Sequence, residues 1–183
     1  MHYLVREERY VLNAVRFTVY DDRKQHLCNI RCVQQGVFGA MKLMPYAIAD
    51  LSGKMLALIR PGCAPGDSCL NAMYAIDRPG MPTAFVMNIF ESGLGMRRSF
   101  AVKQPGGPAL RVQGNVLTRR YQFKRDGATT AKARPKWLAL LPTYRVETAE
   151  GEDSLLVISC VVLIHVHYTY SAVYIGKPRK QKT

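Results

Sequence analysis

Hydrophobic and polar residues alternate along most of this 183-residue chain, with the period of two that β-strands require. One unit recurs, in which an aromatic residue opens a short alternating segment, a turn follows, and a second apolar segment leaves the turn. Six such units begin 21 to 29 residues apart, at Phe17, Tyr46, Tyr74, Phe100, Tyr121 and Tyr144. Hairpins spaced this regularly predict an all-β sandwich or barrel.

Residue pairs that favour tight turns lie between the two segments of four of these units. The pairs are Ser52-Gly53, Pro79-Gly80, Gly106-Gly107 and Asp126-Gly127. Glycine and aspartate tolerate the positive φ angles that tight hairpin turns require, so these pairs predict the points at which the chain reverses.

The sixth unit departs from the pattern, because the 21 residues from 155 to 175 contain no Asp, Glu, Lys or Arg. Glu150, Glu152 and Asp153 precede this run, where carboxylates suit the positive end of a helix. The run predicts a helix that is apolar on nearly every side and must be surrounded by protein or by lipid. Its many β-branched residues leave a strand as the alternative.

The length of this helix also permits a transmembrane span. However, its strongly apolar part comprises only the twelve residues 155–166, which suit a core helix better than a span. The hairpins also have inward apolar faces, which need an apolar element inside the barrel to pack against. We therefore expect the helix to lie inside a barrel, with a membrane anchor as the alternative.

The positive charge of the chain, a formal net of +13, is unevenly distributed. Residues 97–145 contain 12 Lys and Arg against one acid, Asp126, which gives a net charge of 12 − 1 = +11. Such a region repels itself, so we expect a polyanionic partner, either anionic lipid headgroups or nucleic acid. The alternative is a basic surface that only contacts solvent.

Strand parity separates the two faces of the hairpin at residues 118–136. Tyr121 and Phe123 share one face with Ala131 and Ala133, and we expect this face to point inward. The opposite face is rich in Lys and Arg, and two further arginines follow the Gly-containing segment 92–95. The candidate residues for binding anions or lipid headgroups are Arg97, Arg98, Arg120, Lys124, Lys132, Arg134 and Lys136. A solvated outer face is again the alternative.

The sequence offers little for catalysis. It contains no P-loop, dinucleotide fingerprint, Gly-x-Ser-x-Gly elbow or His-Glu-x-x-His motif. His165 and His167 are two residues apart on the expected helix and point in different directions, so they do not form a metal pair. We therefore expect a protein that is not an enzyme, with no catalytic residues, no cofactor, no metal and no small-molecule substrate.

The five cysteines do not form an obvious framework. Cys28 and Cys32 share one face of an expected strand but lie about 13 Å apart at about 3.3 Å per residue, too far for a disulfide or a shared zinc ion. Cys63 and Cys69 could meet in their Pro- and Gly-rich loop. The odd number of thiols and the lack of an apolar run near the first residues indicate an intracellular protein, cytoplasmic or peripheral to a membrane, not one secreted through a cleavable signal.

Residues 132–164 resemble the ending of the LURP-one-related family, in the tubby C-terminal-like superfamily. They contain a strand that ends at a tryptophan, an aromatic strand, the acidic turn Gly151-Glu152-Asp153 and a long apolar run. Residues 46–60 and 119–137 fit earlier hairpins of the family. The acidic turn is the most specific part of this resemblance.

The resemblance implies a mainly β fold, a closed barrel of about twelve antiparallel strands around a buried C-terminal hydrophobic helix. Residues 1–176 would form one domain, and residues 177–183 would be an additional basic tail. The loop at residues 61–72 is longer than the usual turn of the family. Phospholipid scramblases are similar in fold, and tubby domains bind phosphoinositides at a basic surface.

Together these observations predict a non-enzymatic binding or scaffold domain that contacts anionic phosphate groups, above all membrane phospholipid headgroups, through a basic outer face. The alternative is a structural subunit of a larger ribonucleoprotein or membrane complex that docks its basic strip on RNA or acidic protein. Few aromatic residues are available to stack bases and no RNP-type motif occurs, which favours phosphate contact over base reading.

Overall fold

A computed structural model describes residues 1–8, 15–33, 45–62, 72–89, 97–115 and 117–172 of the chain. Within these residues, twelve strands and one helix form a closed antiparallel barrel with the helix inside. The strands are β1 (His2–Glu8), β2 (Arg16–Asp21), β3 (His26–Cys32), β4 (Tyr46–Asp50), β5 (Met55–Pro61), β6 (Ala72–Arg78), β7 (Met81–Ile89), β8 (Arg97–Lys103), β9 (Leu110–Asn115), β10 (Arg120–Arg125), β11 (Ala128–Pro135) and β12 (Thr143–Thr148). The helix is α1 (Ser154–Ala172). The predicted fold class is confirmed.

Each strand pairs with its neighbours in the chain, and β1 closes the barrel by pairing with both β2 and β12. The first five recurring units of the sequence form the hairpins β2–β3, β4–β5, β6–β7, β8–β9 and β10–β11. The sixth unit supplies β12 and α1. Strand β1 belongs to none of these units, and it occupies the remaining place in the barrel.

The up-and-down order places the tight hairpin turns and the β12–α1 connection at one end of the barrel, which we call the turn end. Glycines with φ between +72° and +87° occupy four of the described turns, as the sequence predicts; they are Gly53, Gly80, Gly106 and Gly127. The connections between successive hairpins lie at the opposite end, which we call the loop end. They include the turn at 117–119 and the loop at 136–142.

Helix α1 starts at the turn end and runs through the interior of the barrel. All residues from 156 to 166 are buried and pack against the inward side chains of the strands. The prediction of a core helix is therefore confirmed, and the alternative reading of this segment as a strand is wrong. Over the described part of the chain, no helix combines the length and hydropathy required to cross a bilayer.

The acidic turn before α1 fastens the helix to the barrel wall. Asp153 caps the helix, since its Oδ1 accepts a hydrogen bond from the Leu156 amide at 2.9 Å. Its carboxylate also pairs with Arg78 of β6, whose side chain is only 3% exposed. Glu152 accepts hydrogen bonds from Arg125 of β10 at 3.0 and 3.4 Å. Burial raises the pKa of Glu152, but the hydrogen bond and charge of Arg125 help to hold it below its ordinary value.

Gly114 of β9 makes room for the ring of Tyr121 inside the barrel. A Cβ atom at this position would lie 2.6 Å from the Arg120 carbonyl oxygen and 2.9 Å from Tyr121 Cε1. Both distances are shorter than folded proteins allow. The pairing of β9 with β10 therefore depends on a residue without a side chain at this point.

Replacing Gly114 by alanine should destabilise the protein by about 1–3 kcal/mol, because the new methyl group overpacks the core. Thermal and urea unfolding followed by circular dichroism measure the effect. Gly107→Ala is the matched control, since a Cβ there would meet no described atom within 4 Å. Equal stabilities of the two variants would show that Tyr121 moves aside without cost.

Replacing Asp153 by alanine should lower the free energy of unfolding by about 3–5 kcal/mol, because it leaves the buried Arg78 charge without its carboxylate and removes the helix cap. Urea unfolding of Glu150→Ala provides the comparison, because Glu150 is exposed in the same acidic segment. That control should stay within about 0.5 kcal/mol of the parent protein. A similar small change in Asp153→Ala would contradict the docking role of the acidic turn.

Candidate functional site

The outer surface of β10 and β11, together with Lys136 directly after β11, carries five of the seven cations that the sequence singled out. Tyr121 and Phe123 are buried together with Ala131 and Ala133, in agreement with the predicted inward face. The side chains between them point outward because strand residues alternate. Arg120, Arg134 and Lys136 are exposed, whereas Lys124 and Lys132 are half-buried.

The register of the strands extends this surface to β9 and β12. Arg134 pairs directly with Arg145 of β12. On the other side, Lys124 pairs with Arg111 of β9. Arg111 and Arg145 are both exposed, and the same parity argument, applied to their own strands, would have found them.

We call the outward cations of β9–β12 and of the residue after β11 the basic face. Its members are Arg111, Arg120, Lys124, Lys132, Arg134, Lys136 and Arg145. In the part of the chain that the structure describes, none of these seven side chains forms an ion pair. Like charges on neighbouring strands destabilise each other. A bound polyanion would relieve this repulsion.

The basic face is not uniform along its length. Lys132 lies opposite Glu147 of β12, which places a carboxylate beside the middle of the face. A register shift after Phe123 leaves Lys124 opposite Thr129, near the turn end. Of the four exposed arginines, Arg120, Arg134 and Arg145 lie toward the loop end, whereas Arg111 lies near the turn end, opposite Lys124. With Lys136, the positive charge is therefore greatest toward the loop end.

Arg97 and Arg98 begin β8, where they pair with Asn115 and Gly114 of β9. Asn115 also pairs with Arg120, so Arg97 is adjacent to β9 and one strand away from Arg120. The side chains of Arg97 and Arg98 lie outside the described part of the structure. Their role in binding anions stays a prediction.

Two connections at the loop end adjoin the basic face. The turn at 117–119 and the loop at 136–142 enclose a groove of about 430 Å³. Arg119, Lys136 and Trp137 line this groove, together with Leu117 and Leu140. Trp137 directly follows Lys136 of the basic face in the chain. That the apolar side chains of Leu117 and Leu140 lie beside these cations was not predicted.

A buried hydrogen-bond chain links α1 to the barrel wall near the loop end. His165 Nε2 lies 3.0 Å from Glu7 Oε2, and His165 Nδ1 lies 3.0 Å from the Tyr144 hydroxyl. Burial raises the pKa of Tyr144 to about 12. His165 is therefore a core histidine with hydrogen-bond partners on two strands. Its partners were not foreseen because they come from β1 and β12, far away in the chain.

Three cysteines lie in the described part of the chain, Cys28, Cys32 and Cys160, and no disulfide joins any two of them. Burial raises the pKa of Cys28 to about 11, and the charge of Asp50 adds to this effect. Burial also raises the pKa of Cys160 to about 12. Such thiols stay protonated at neutral pH and are poor nucleophiles. Among the described residues, no cluster of three or more His, Cys, Asp or Glu could hold a metal ion. Cys63 and Cys69 lie outside the described residues.

Comparison with known proteins agrees with this architecture. A solved crystal structure of a protein from Arabidopsis thaliana is similar, with a TM-score of 0.50 and 14% sequence identity over 91% of each chain. At that identity the similarity concerns the fold. Among curated proteins, none is significantly similar in sequence. The family model described as LURP-one-related matches residues 1–165, which include all twelve described strands and most of α1. The chain therefore belongs to the LURP-one-related family.

Proposed function

We propose that this domain binds the phosphate groups of anionic membrane phospholipids through its basic face and catalyses no reaction. The observation that carries the proposal is the set of seven outward cations on β9–β12, none of which is ion-paired within the described residues. Each Lys or Arg close to an anionic membrane surface contributes about 1 kcal/mol of binding free energy. Several such contacts at once are sufficient for peripheral attachment.

The barrel wall suits this task because it holds the cations in fixed positions. Neighbouring strands lie about 4.8 Å apart, and outward residues of one strand recur about every 6.6 Å. Arginine can contact phosphate oxygens through two parallel hydrogen bonds, and four of the seven cations are arginines. A face of this kind contacts several headgroups together and needs no enclosed pocket.

The burial of the aromatic residues of β10 supports a lipid partner over RNA. Tyr121 and Phe123, the aromatic residues of β10, are buried and cannot stack on bases. Membership of the LURP-one-related family and the closed barrel around a helix favour a non-enzymatic binding domain. We infer a peripheral position on an intracellular membrane surface.

Reversing three exposed cations of the basic face should abolish most of this binding. In Arg120→Glu/Arg134→Glu/Lys136→Glu, affinity for vesicles of phosphatidylcholine and phosphatidylserine in equal amounts should fall by at least about 100-fold. Co-sedimentation at low salt measures this affinity. The melting temperature should change little, because exposed charges contribute little to stability.

The matched control is Arg23→Glu/Arg31→Glu/Lys54→Glu, which changes the net charge equally through exposed residues on the β2–β5 side of the barrel. This control should retain most of the binding. An equal loss in both variants would show that binding follows net charge and not the basic face. Binding to single-stranded RNA but not to vesicles, with a steep salt dependence, would instead support an assembly subunit.

A further inference from the structure

Large apolar side chains stand in solvent at the loop end, beside the basic face. Leu138 and Leu140 are 98% and 101% exposed, Trp137 is 72% exposed, and Leu117 is 69% exposed. We call these four residues the apolar tip. Exposing so much contiguous apolar surface is unfavourable in water, and such patches mark contacts with a membrane or another protein.

The loop that carries most of the apolar tip has a defined backbone. The Lys136 amide donates to the Thr143 carbonyl at 2.8 Å and closes the base of the loop. Within it, the Ala139 amide donates to the Lys136 carbonyl at 3.3 Å. The Glu7 amide of β1 donates to the Pro142 carbonyl at 2.8 Å and ties the loop to the barrel. The outward position of Trp137 and its neighbours is thus built into the fold.

The turn that carries Leu117 is fixed in the same manner. Asn115 Oδ1 accepts hydrogen bonds from the amides of Leu117 and Thr118 at 2.9 and 3.1 Å. Arg119 follows with φ of +52°, a conformation that strand residues do not adopt. Two independent connections therefore present apolar side chains at the same end of the barrel.

Cations border the apolar tip where the loops join the strands. Lys136 directly precedes Trp137, and Arg119 lies across the groove from it. Arg120 and Arg134 follow at the ends of β10 and β11, and both are exposed. From the loop end along the outer wall, the surface is therefore first apolar and then cationic. This order is the complement of an anionic bilayer, in which the acyl chains lie beneath a layer of phosphates.

We propose that the loop at 136–142 inserts into the bilayer, with Trp137, Leu138 and Leu140 below the phosphates and with Arg119 and Lys136 at the phosphate level. This inference rests on the proposed function of the basic face and adds an apolar anchor to it. Tryptophan is enriched at membrane interfaces, and the burial of apolar side chains adds to the attraction between cations and anionic lipids. The loop end of the barrel would then face the membrane.

Trp137 is the only tryptophan of the chain, so its fluorescence reports on the loop alone. The test uses the full chain and vesicles of phosphatidylcholine and phosphatidylserine in equal amounts. On binding, the emission of Trp137 should shift to shorter wavelength. Phosphatidylcholine with brominated acyl chains should quench that emission, because bromine quenches only at short range.

The variant Leu138→Ser/Leu140→Ser keeps both the fluorophore and every charge. Its affinity for these vesicles should fall by about tenfold or more, because two apolar side chains are no longer buried in lipid. High salt should release this variant more completely than the parent protein, since only screened charges would hold it. Leu51→Ser/Met55→Ser changes two exposed apolar residues at the turn end and should bind as the parent protein does.

The outcomes separate the two proposals. Bound parent protein whose Trp137 emission is neither shifted nor quenched would overturn insertion and leave the basic face as the binding site. An unchanged affinity in the folded Leu138→Ser/Leu140→Ser variant would do the same. Failure of the parent protein to bind anionic vesicles at all would overturn both proposals. The quenching measurement uses the parent protein, so it tests insertion of the loop even if the variant does not fold.

Discussion

Burial of α1 inside the barrel is the interaction on which the remaining structure depends. About eight strands enclose a space that side chains alone can fill, and the interior widens as strands are added. The barrel described here has twelve strands, so it needs more than side chains at its centre. A helix with its side chains is about 10 Å across, and residues 156–166 supply one that is apolar on every side. The strands therefore bury the apolar side chains of the helix, and the helix buries the inward apolar side chains of the strands.

This arrangement divides the surfaces of the molecule. The inward residues of the strands and of α1 form one buried cluster, and at the turn end Asp153 and Glu152 fasten the helix to β6 and β10. The outer wall and the loop end are the surfaces that remain for the proposed binding. The basic face and the apolar tip occupy these two regions, and they meet where β10 and β11 reach the loop end. The residues that stabilise the fold are thus different from those that we propose for binding.

Local patterns in the sequence were sufficient for most of the architecture. Alternation and turn chemistry predicted the hairpins, and the uncharged run after Asp153 predicted α1. Alternation of side chains along the strands of one hairpin placed Tyr121 and Phe123 on the inward face and the cations on the outward face. Each of these features repeats over a few residues, so it can be recognised without knowing which strands become neighbours.

Features that depend on distant neighbours could not be predicted in this way. The partners of His165 lie on β1 and β12, and the partner of Asp153 lies on β6. Arg111 and Arg145 join the basic face only through the register of β9 and β12. The apolar residues at 137–141 would equally suit a buried strand. Only the structure shows that Trp137, Leu138 and Leu140 are exposed to solvent.

The pairing of β1 with β12 also has a consequence for how the chain reaches its native state. His2 is paired with Glu147, and the helix that fills the interior comes later still in the sequence. During synthesis, ten hairpin strands leave the ribosome before the elements that close and fill the barrel. Their inward apolar residues stay uncovered during that time, and such exposed surfaces are prone to aggregate. Contacts between residues as far apart in the sequence as His2 and Glu147 also slow folding. Chaperones that shield apolar strands should therefore be needed until α1 has emerged.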